Sequence, residues 1–124
     1  MKLNQVTVPT QNVNLSIEFY QKLGLKLIVQ SPHYARFLCP EGGSTFSIHL
    51  NENSKLKNEG TVVYFECENL DKTYEELLDK GIQFTQSPKD QNWLWREAHL
   101  SDPDGNAIIL FYAGEHRINP PWRI

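Results

Sequence analysis

The chain has 124 residues, of which 40% are hydrophobic, and a formal net charge of −3 at pH 7. This length suffices for one well-buried core and is short for two independent domains, so we expect a single domain over residues 1–124. The sequence has no cluster of Lys and Arg, so we expect no nucleic-acid partner. It has no apolar run near the roughly 20 residues that span a bilayer, so we expect no membrane partner and a cytoplasmic location.

The first half of the chain predicts a βαβββ unit. Alternating apolar residues over Leu3–Val8 predict a strand that ends at Pro9. A helix is expected from about Asn14, with Asn12 or Asn14 as its N-cap and Gly24 as its stop. Three further strands are then expected, at Leu25–Val29, Tyr34–Leu38 and Thr45–Leu50.

The second half repeats this order after a polar linker, residues 51–60. Thr61–Cys67 predicts a strand and Leu70–Lys80 a helix, and Gly81-Ile82 matches Gly24-Leu25 as a stop followed by the next strand. The match indicates an internal duplication. We therefore expect an α+β fold of two βαβββ modules, residues 1–50 and 61–112. A C-terminal tail follows over residues 113–124. We expect Trp122 and Ile124 to anchor this tail on the body or on a second subunit.

A hairpin over Trp93–Phe111 carries the most specific motif. Its turn, Asp102–Asn106, reads Asp-Pro-Asp-Gly-Asn, residues that favour tight turns. Together with the Phe19-Tyr20 pair followed by Leu23–Leu25, this turn resembles the pattern of the vicinal oxygen chelate superfamily, which includes glyoxalases, bleomycin-resistance proteins and extradiol dioxygenases. Within that superfamily, the chain is most similar to the metal-free, bleomycin-resistance-like members. The resemblance implies that the two modules form an incomplete barrel, a cup with the helices outside, and that the protein is a homodimer.

The resemblance also implies where metal ligands would lie. Metal-dependent members use the positions that fall on Gln5, His49, Val62 and Ile109 in this sequence. Val and Ile have no lone pair to donate, and a slip of one residue in either strand of the second module brings in no His or carboxylate. We therefore expect no metal and no other cofactor.

The expected partner is a small organic molecule held in the cup. The candidate ligand-binding residues are Gln5, Ser47, His49, Val62, Tyr64, Trp93, Trp95, Arg96, His99, Ile109 and Phe111. The alternative for Gln5 and His49 is a backbone partner or solvent.

The tryptophans preceding the turn are candidates for stacking a ligand. Trp93 and Trp95, at a spacing of two in a strand, are expected on the same side, where with Arg96 they could stack a planar or cationic ligand. Cross-strand packing or a dimer interface is the alternative for each Trp. His99 shares a face with Glu97 and could act as an acid or base, although a strand His is more often structural or solvated.

Three functions remain open from the sequence. The first is a metal-free binding module of the bleomycin-resistance type. The second is a glyoxalase-like lyase, isomerase or dioxygenase that uses Gln5 and His49 in a degenerate metal site, or acid/base chemistry without metal. The third is a scaffold whose cup is closed by its own side chains. No catalytic residue is assigned.

Overall fold

The computed structural model describes residues 1–53 and 59–124, so the predicted linker lies partly outside the described residues. Two compact units are present. The first comprises Met1–Gly60 with Asp102–Asn106, and the second comprises Thr61–Ser101 with Ala107–Ile124. Within the described ranges, no helix is long and apolar enough to cross a membrane.

The first unit has the predicted βαβββ order. Its elements are β1 (Gln5–Thr10), α1 (Val13–Lys22), β2 (Lys26–Ser31), β3 (Tyr34–Leu38) and β4 (Thr45–Leu50). The four strands form a sheet in the order β1-β4-β3-β2, in which β1 and β4 are parallel and the other pairs are antiparallel. The predicted bounds of β3 and β4 are confirmed.

Local signals define α1, and its apolar side fixes which face of the sheet it covers. Asn12 caps the helix by accepting a hydrogen bond from the backbone N–H of Leu15, and Gly24, with φ of 107°, follows its end. Tyr20, which is fully buried, packs its ring against Phe37 and Phe46 of the sheet. The faces of β3 and β4 that carry Phe37 and Phe46 therefore lie against α1.

The predicted end of the first strand at Pro9 is wrong. Pro9 lies inside β1, which continues to Thr10. Because β1 is the edge strand and has only β4 as a neighbour, the missing N–H of proline does not interrupt the sheet.

The second unit repeats the order of the first. Its elements are β5 (Val62–Glu66), α2 (Leu70–Asp79), β6 (Gln86–Asp90), β7 (Arg96–Ser101) and β8 (Ala107–Tyr112), followed by a short 3-10 helix, Gly114–Arg117. The four strands form a sheet in the order β5-β8-β7-β6, with β5 and β8 parallel. The duplication and the α+β class are confirmed.

The strand predicted directly after Gly81 begins later than expected. The N–H of Ile82 donates to the Leu77 carbonyl at 3.0 Å, so Ile82 belongs to the termination of α2, and β6 starts only at Gln86. Ile82 is buried, which explains why the sequence there resembles the start of a core strand.

The predicted turn at Asp102–Asn106 is confirmed. Asp102 Oδ1 accepts hydrogen bonds from the N–H groups of Asp104 and Asn106, both at 2.9 Å. Asp102 Oδ2 accepts one from the Tyr20 hydroxyl at 2.6 Å. Burial first, and then the charge of Asp102, raises the pKa of Tyr20 far above its ordinary value. The turn is therefore fastened to α1 by a buried hydrogen bond.

Candidate functional site

One face of the second sheet lies away from α2 and carries five of the eleven predicted site residues. Arg96, on the opposite face, donates to Asp71 of α2, which marks the side that the helix covers. The strand register places alternate residues of β5, β7 and β8 on the other side. We call this surface the aromatic face; it comprises Val62, Tyr64, Glu66, Glu97, His99, Ser101, Ala107, Ile109 and Phe111.

Three aromatic rings pack together on the aromatic face. Trp95 stacks on Phe111 with ring centroids 4.7 Å apart and an interplanar angle of 21°. Tyr64 meets both rings edge-on, at 5.9 Å from Trp95 and 5.6 Å from Phe111. Phe111 is buried and Trp95 is partly buried, but 46% of Tyr64 is exposed. The cluster therefore offers an outside ligand the ring of Tyr64 and part of Trp95.

The two tryptophans reach this face by a route that the sequence did not predict. Trp93 and Trp95 precede β7, and Leu94 between them has a positive φ of 69°. This bend is closed by a hydrogen bond from the Gln91 N–H to the Trp95 carbonyl at 2.7 Å. The prediction that Trp93 and Trp95 lie in a regular strand is therefore wrong. The tryptophans nevertheless contact Glu97 and Phe111, which are cross-strand partners on the aromatic face.

Glu97 is the residue of this face that sequence reasoning missed as a site candidate. Only 2% of it is exposed. Its carboxylate accepts a hydrogen bond from the indole Nε1–H of Trp93 at 2.9 Å and one from Nε2 of His99 at 2.8 Å. The shared face of Glu97 and His99 was evident from their spacing, but the contribution of Trp93 was not, because it depends on the bend at Leu94.

The buried carboxylate also affects the nearest phenol. Desolvation, followed by the negative charge of Glu97, raises the pKa of Tyr64 above its ordinary value. Tyr64 is therefore neutral across the physiological range and keeps its O–H as a hydrogen-bond donor. The face combines neutral aromatic surface with one desolvated negative group.

Arg96 does not lie on the aromatic face. Its guanidinium donates to Asp71 and to Asp90, each with a shortest contact of 2.9 Å. Hydrogen bonds to these two carboxylates raise the pKa of Arg96. The structure thus places Arg96 between α2 and β6, and we do not include it in the proposed site.

The first sheet carries the remaining predicted residues. Gln5, Ser47 and His49 lie on the face of that sheet that is turned away from α1. Gln5 Oε1 accepts from the Thr45 hydroxyl at 2.8 Å, and His49 Nδ1 lies 3.0 Å from the Leu50 carbonyl. The backbone partner considered for His49 is therefore present.

The four positions implied for a metal do not supply a complete set of donors. Val62 and Ile109 lie on the aromatic face, but their aliphatic side chains cannot coordinate an ion. Among the described residues, no group of three or more His, Cys, Asp or Glu side chains is arranged to hold a metal. We derive no metal chemistry from these positions.

Comparison with known proteins agrees with this architecture. The sequence model of the glyoxalase/bleomycin resistance protein/dioxygenase superfamily matches residues 2–110. The uncharacterized protein YraH of Bacillus subtilis (strain 168) is 32% identical, over 90% of this chain and 98% of its own length.

Solved structures show the same fold. A bleomycin resistance determinant encoded on transposon Tn5 has a TM-score of 0.77 at 18% identity, with 92% of this chain and 99% of that one covered. A bleomycin-binding protein complexed with bleomycin has a TM-score of 0.71 at 19% identity, with 90% and 98% covered. At these identities, the likeness is one of fold.

Proposed function

The chain belongs to the glyoxalase/bleomycin resistance protein/dioxygenase superfamily, and on that premise we propose that it binds a small, flat organic molecule against the aromatic face of its second sheet. The observation that carries this proposal is the cluster of Tyr64, Trp95 and Phe111 on a sheet face that α2 does not cover.

Aromatic rings suit such a ligand because they provide a large, rigid contact area at low cost in conformational entropy. Phe111 is already covered by Trp95, and Trp95 is supported from behind by that stack. Tyr64 stands beside them, half-exposed. A planar ligand would lie against Tyr64 and the outer surface of Trp95, which the cluster holds in position.

Glu97 favours ligands that carry a positive charge. Its two oxygens accept hydrogen bonds from Trp93 and His99, and only 2% of the residue is exposed, so a ligand would not contact the carboxylate directly. Its charge nevertheless reaches the neighbouring phenol of Tyr64. Because water screens a buried charge little, a cation that lay against Tyr64 and Trp95 would be attracted by Glu97.

We propose that this binding needs no metal. The donor types at Gln5, His49, Val62 and Ile109 support that view, since only two of them can coordinate an ion. The bleomycin-binding relative, whose structure contains bleomycin, makes that compound a reasonable first ligand to test.

A second candidate function is acid/base catalysis by the Glu97–His99 pair. Carboxylate and imidazole lie 2.8 Å apart, a geometry that orients a histidine for proton transfer. An enzyme that used this pair would act as a lyase or isomerase on a small organic substrate. The His99→Gln variant would then lose turnover and keep ligand affinity, whereas His49→Ala would lose turnover only if the degenerate metal site were used.

We also propose a cytoplasmic homodimer. The C-terminal segment exposes apolar side chains, with Ile118 and Trp122 each 56% exposed, and a second copy could cover them. Sedimentation equilibrium of the whole chain and of the Trp122→Ser variant tests this; a monomeric wild type would contradict it.

Two tyrosines on opposite faces of the second sheet provide the test of binding. Tyr64 and Tyr112 are 46% and 45% exposed, and the register places Tyr112 opposite Arg96, on the helix side. Bleomycin and proflavine, a planar aromatic cation, are titrated while tryptophan fluorescence is recorded. We expect Tyr64→Ala to weaken binding about 2- to 10-fold, equivalent to roughly 0.5–1.5 kcal/mol, and Tyr112→Ala to leave it unchanged. Equal effects of the two variants would contradict the proposed face.

A further inference from the structure

The face of the first sheet that is turned away from α1 has a chemistry that the proposed function does not use. The register assigns twelve residues to it, in three rows across the strands. We call it the hydroxyl-rich face; its rows are Gln5, Thr45, Leu38 and Lys26, then Thr7, Ser47, Arg36 and Val29, then Pro9, His49, Tyr34 and Ser31. These twelve positions include five hydroxyl groups, Lys26, Arg36 and His49, but no carboxylate.

Arg36, in the middle row, is partly buried and lacks an acidic partner. Its Nε–H donates to the Tyr34 hydroxyl oxygen at 2.9 Å. No ion pair joins Arg36 to any Asp or Glu that the structure describes, and residues 54–58, which it does not describe, are Ser, Lys, Leu, Lys and Asn. Arg96, by contrast, is bound by two carboxylates. The terminal amino groups of Arg36, like the amino group of Lys26 at the edge of the face, are therefore charged donors that no described acid neutralises.

The neighbours of Arg36 on this face are polar. Ser47 is its cross-strand partner and is bonded to Thr7 through their hydroxyl oxygens at 2.6 Å. Tyr34 lies 6.4 Å from His49 between ring centroids. Although partial desolvation opposes the change, hydrogen bonds from Ser47 and Arg36 and the charge of Arg36 lower the pKa of Tyr34. The face thus already favours negative charge on an oxygen atom.

We propose that the hydroxyl-rich face binds an oxyanion, a carboxylate or phosphate group of a small molecule, on the terminal guanidinium nitrogens of Arg36 with Tyr34 and His49 beside them. A planar guanidinium fork matches two oxygens of either group. The Tyr34 oxygen accepts from Arg36, which leaves the phenolic proton to be donated to the anion. This inference concerns the first sheet alone and does not rest on the aromatic face.

The test is a titration of the ¹⁵N-labelled whole chain, followed by ¹H–¹⁵N NMR at constant ionic strength. Sodium benzoate probes the carboxylate arm and sodium phosphate the phosphate arm, with chloride as the balancing anion. We expect saturable shifts of β3 and β4 amides with at least one of the two anions. Which anion saturates at the lower concentration identifies the preferred group.

Variants separate a built site from general charge. Arg36→Gln should weaken the anion at least 10-fold, and Arg36→Lys, which keeps the charge but not the fork, should give an intermediate value. Arg123→Gln removes the same charge from an exposed position and should change nothing. The inference is overturned if neither anion gives saturable shifts in the wild type, or if Arg36→Gln and Arg36→Lys bind as the wild type does. The amide spectra themselves show whether each variant is folded.

Discussion

The alkaline limb of the stability curve should depend on Tyr20. Its hydroxyl is buried and donates to Asp102 at 2.6 Å, so Tyr20→Phe removes a hydrogen bond to a carboxylate. Such bonds contribute about 1.5–3 kcal/mol. Asp102 keeps three other donors, the N–H groups of Asp104 and Asn106 and the Asn106 amide, which favours a loss near 1.5 kcal/mol at pH 7.

The sign of the pH dependence follows from the raised pKa of Tyr20. Below its ordinary pKa of 10.0, Tyr20 is protonated in both states, and its stabilising contribution is complete. Above that value, the unfolded chain releases the proton while the folded chain keeps it, so the free energy of unfolding falls by about 1.4 kcal/mol per pH unit from this group. Tyr20→Phe lacks this loss, and its stability should converge on that of the wild type as the pH rises.

Urea denaturation between pH 7 and pH 11.5, followed by circular dichroism, measures this difference. Tyr34→Phe is the opposing control, because the pKa of Tyr34 is lowered and its stabilising contribution grows at high pH. The reasoning would be refuted if the free energies of unfolding of the wild type and of Tyr20→Phe fell in parallel above pH 10.

Two further predictions concern the aromatic face. Glu97→Gln keeps the shape but removes the charge, so we expect proflavine affinity to fall about 10-fold in the fluorescence titration. Xanthone, a neutral planar compound without an N–H group, should bind unchanged. An equal loss for both compounds would show that Glu97 acts only through the fold. Leu94 has a positive φ of 69°, which glycine adopts without strain, and its side chain is half-exposed. Leu94→Gly should therefore raise the free energy of unfolding, measured in urea, by up to about 1 kcal/mol. A loss of stability would mean that the contacts of the Leu94 side chain stabilise the fold by more than its backbone strain destabilises it.

The parts of the fold that the sequence predicted correctly depend on neighbouring residues. The cap at Asn12 and the turn at Asp102–Asn106 are made largely by groups within a few positions of each other. The strand Tyr34–Leu38 alternates clearly between buried and partly exposed residues. These signals can be read without knowledge of the tertiary structure.

The errors arose where distant contacts decide the outcome. Pro9 is tolerated because β1 lies at a sheet edge, and strand order is not visible in the local pattern. Ile82 is an apolar residue that completes a helix end, although it resembles the first residue of a strand.

One part of the candidate site could be predicted because it depends on the local alternation of residues along a strand. Val62, Tyr64, Ile109 and Phe111 share a face because strands alternate, as the sequence indicated. The roles of Glu97 and Arg96 depend on Trp93, Asp71 and Asp90, whose approach requires the bend at Leu94 and the packing of α2. Side-chain partnerships of this kind become visible only in three dimensions.

The three indole N–H signals of the chain provide the most direct test of the proposed function. A ¹H–¹⁵N NMR spectrum is recorded with and without saturating bleomycin or proflavine, with each indole assigned by a single Trp→Phe variant. If the ligand lies on the aromatic face, the signals of Trp93 and Trp95 shift together with amides of β5 and β8, and that of Trp122 stays in place. Shifts confined to Trp122, or bound ligand with neither Trp93 nor Trp95 affected, would contradict the account.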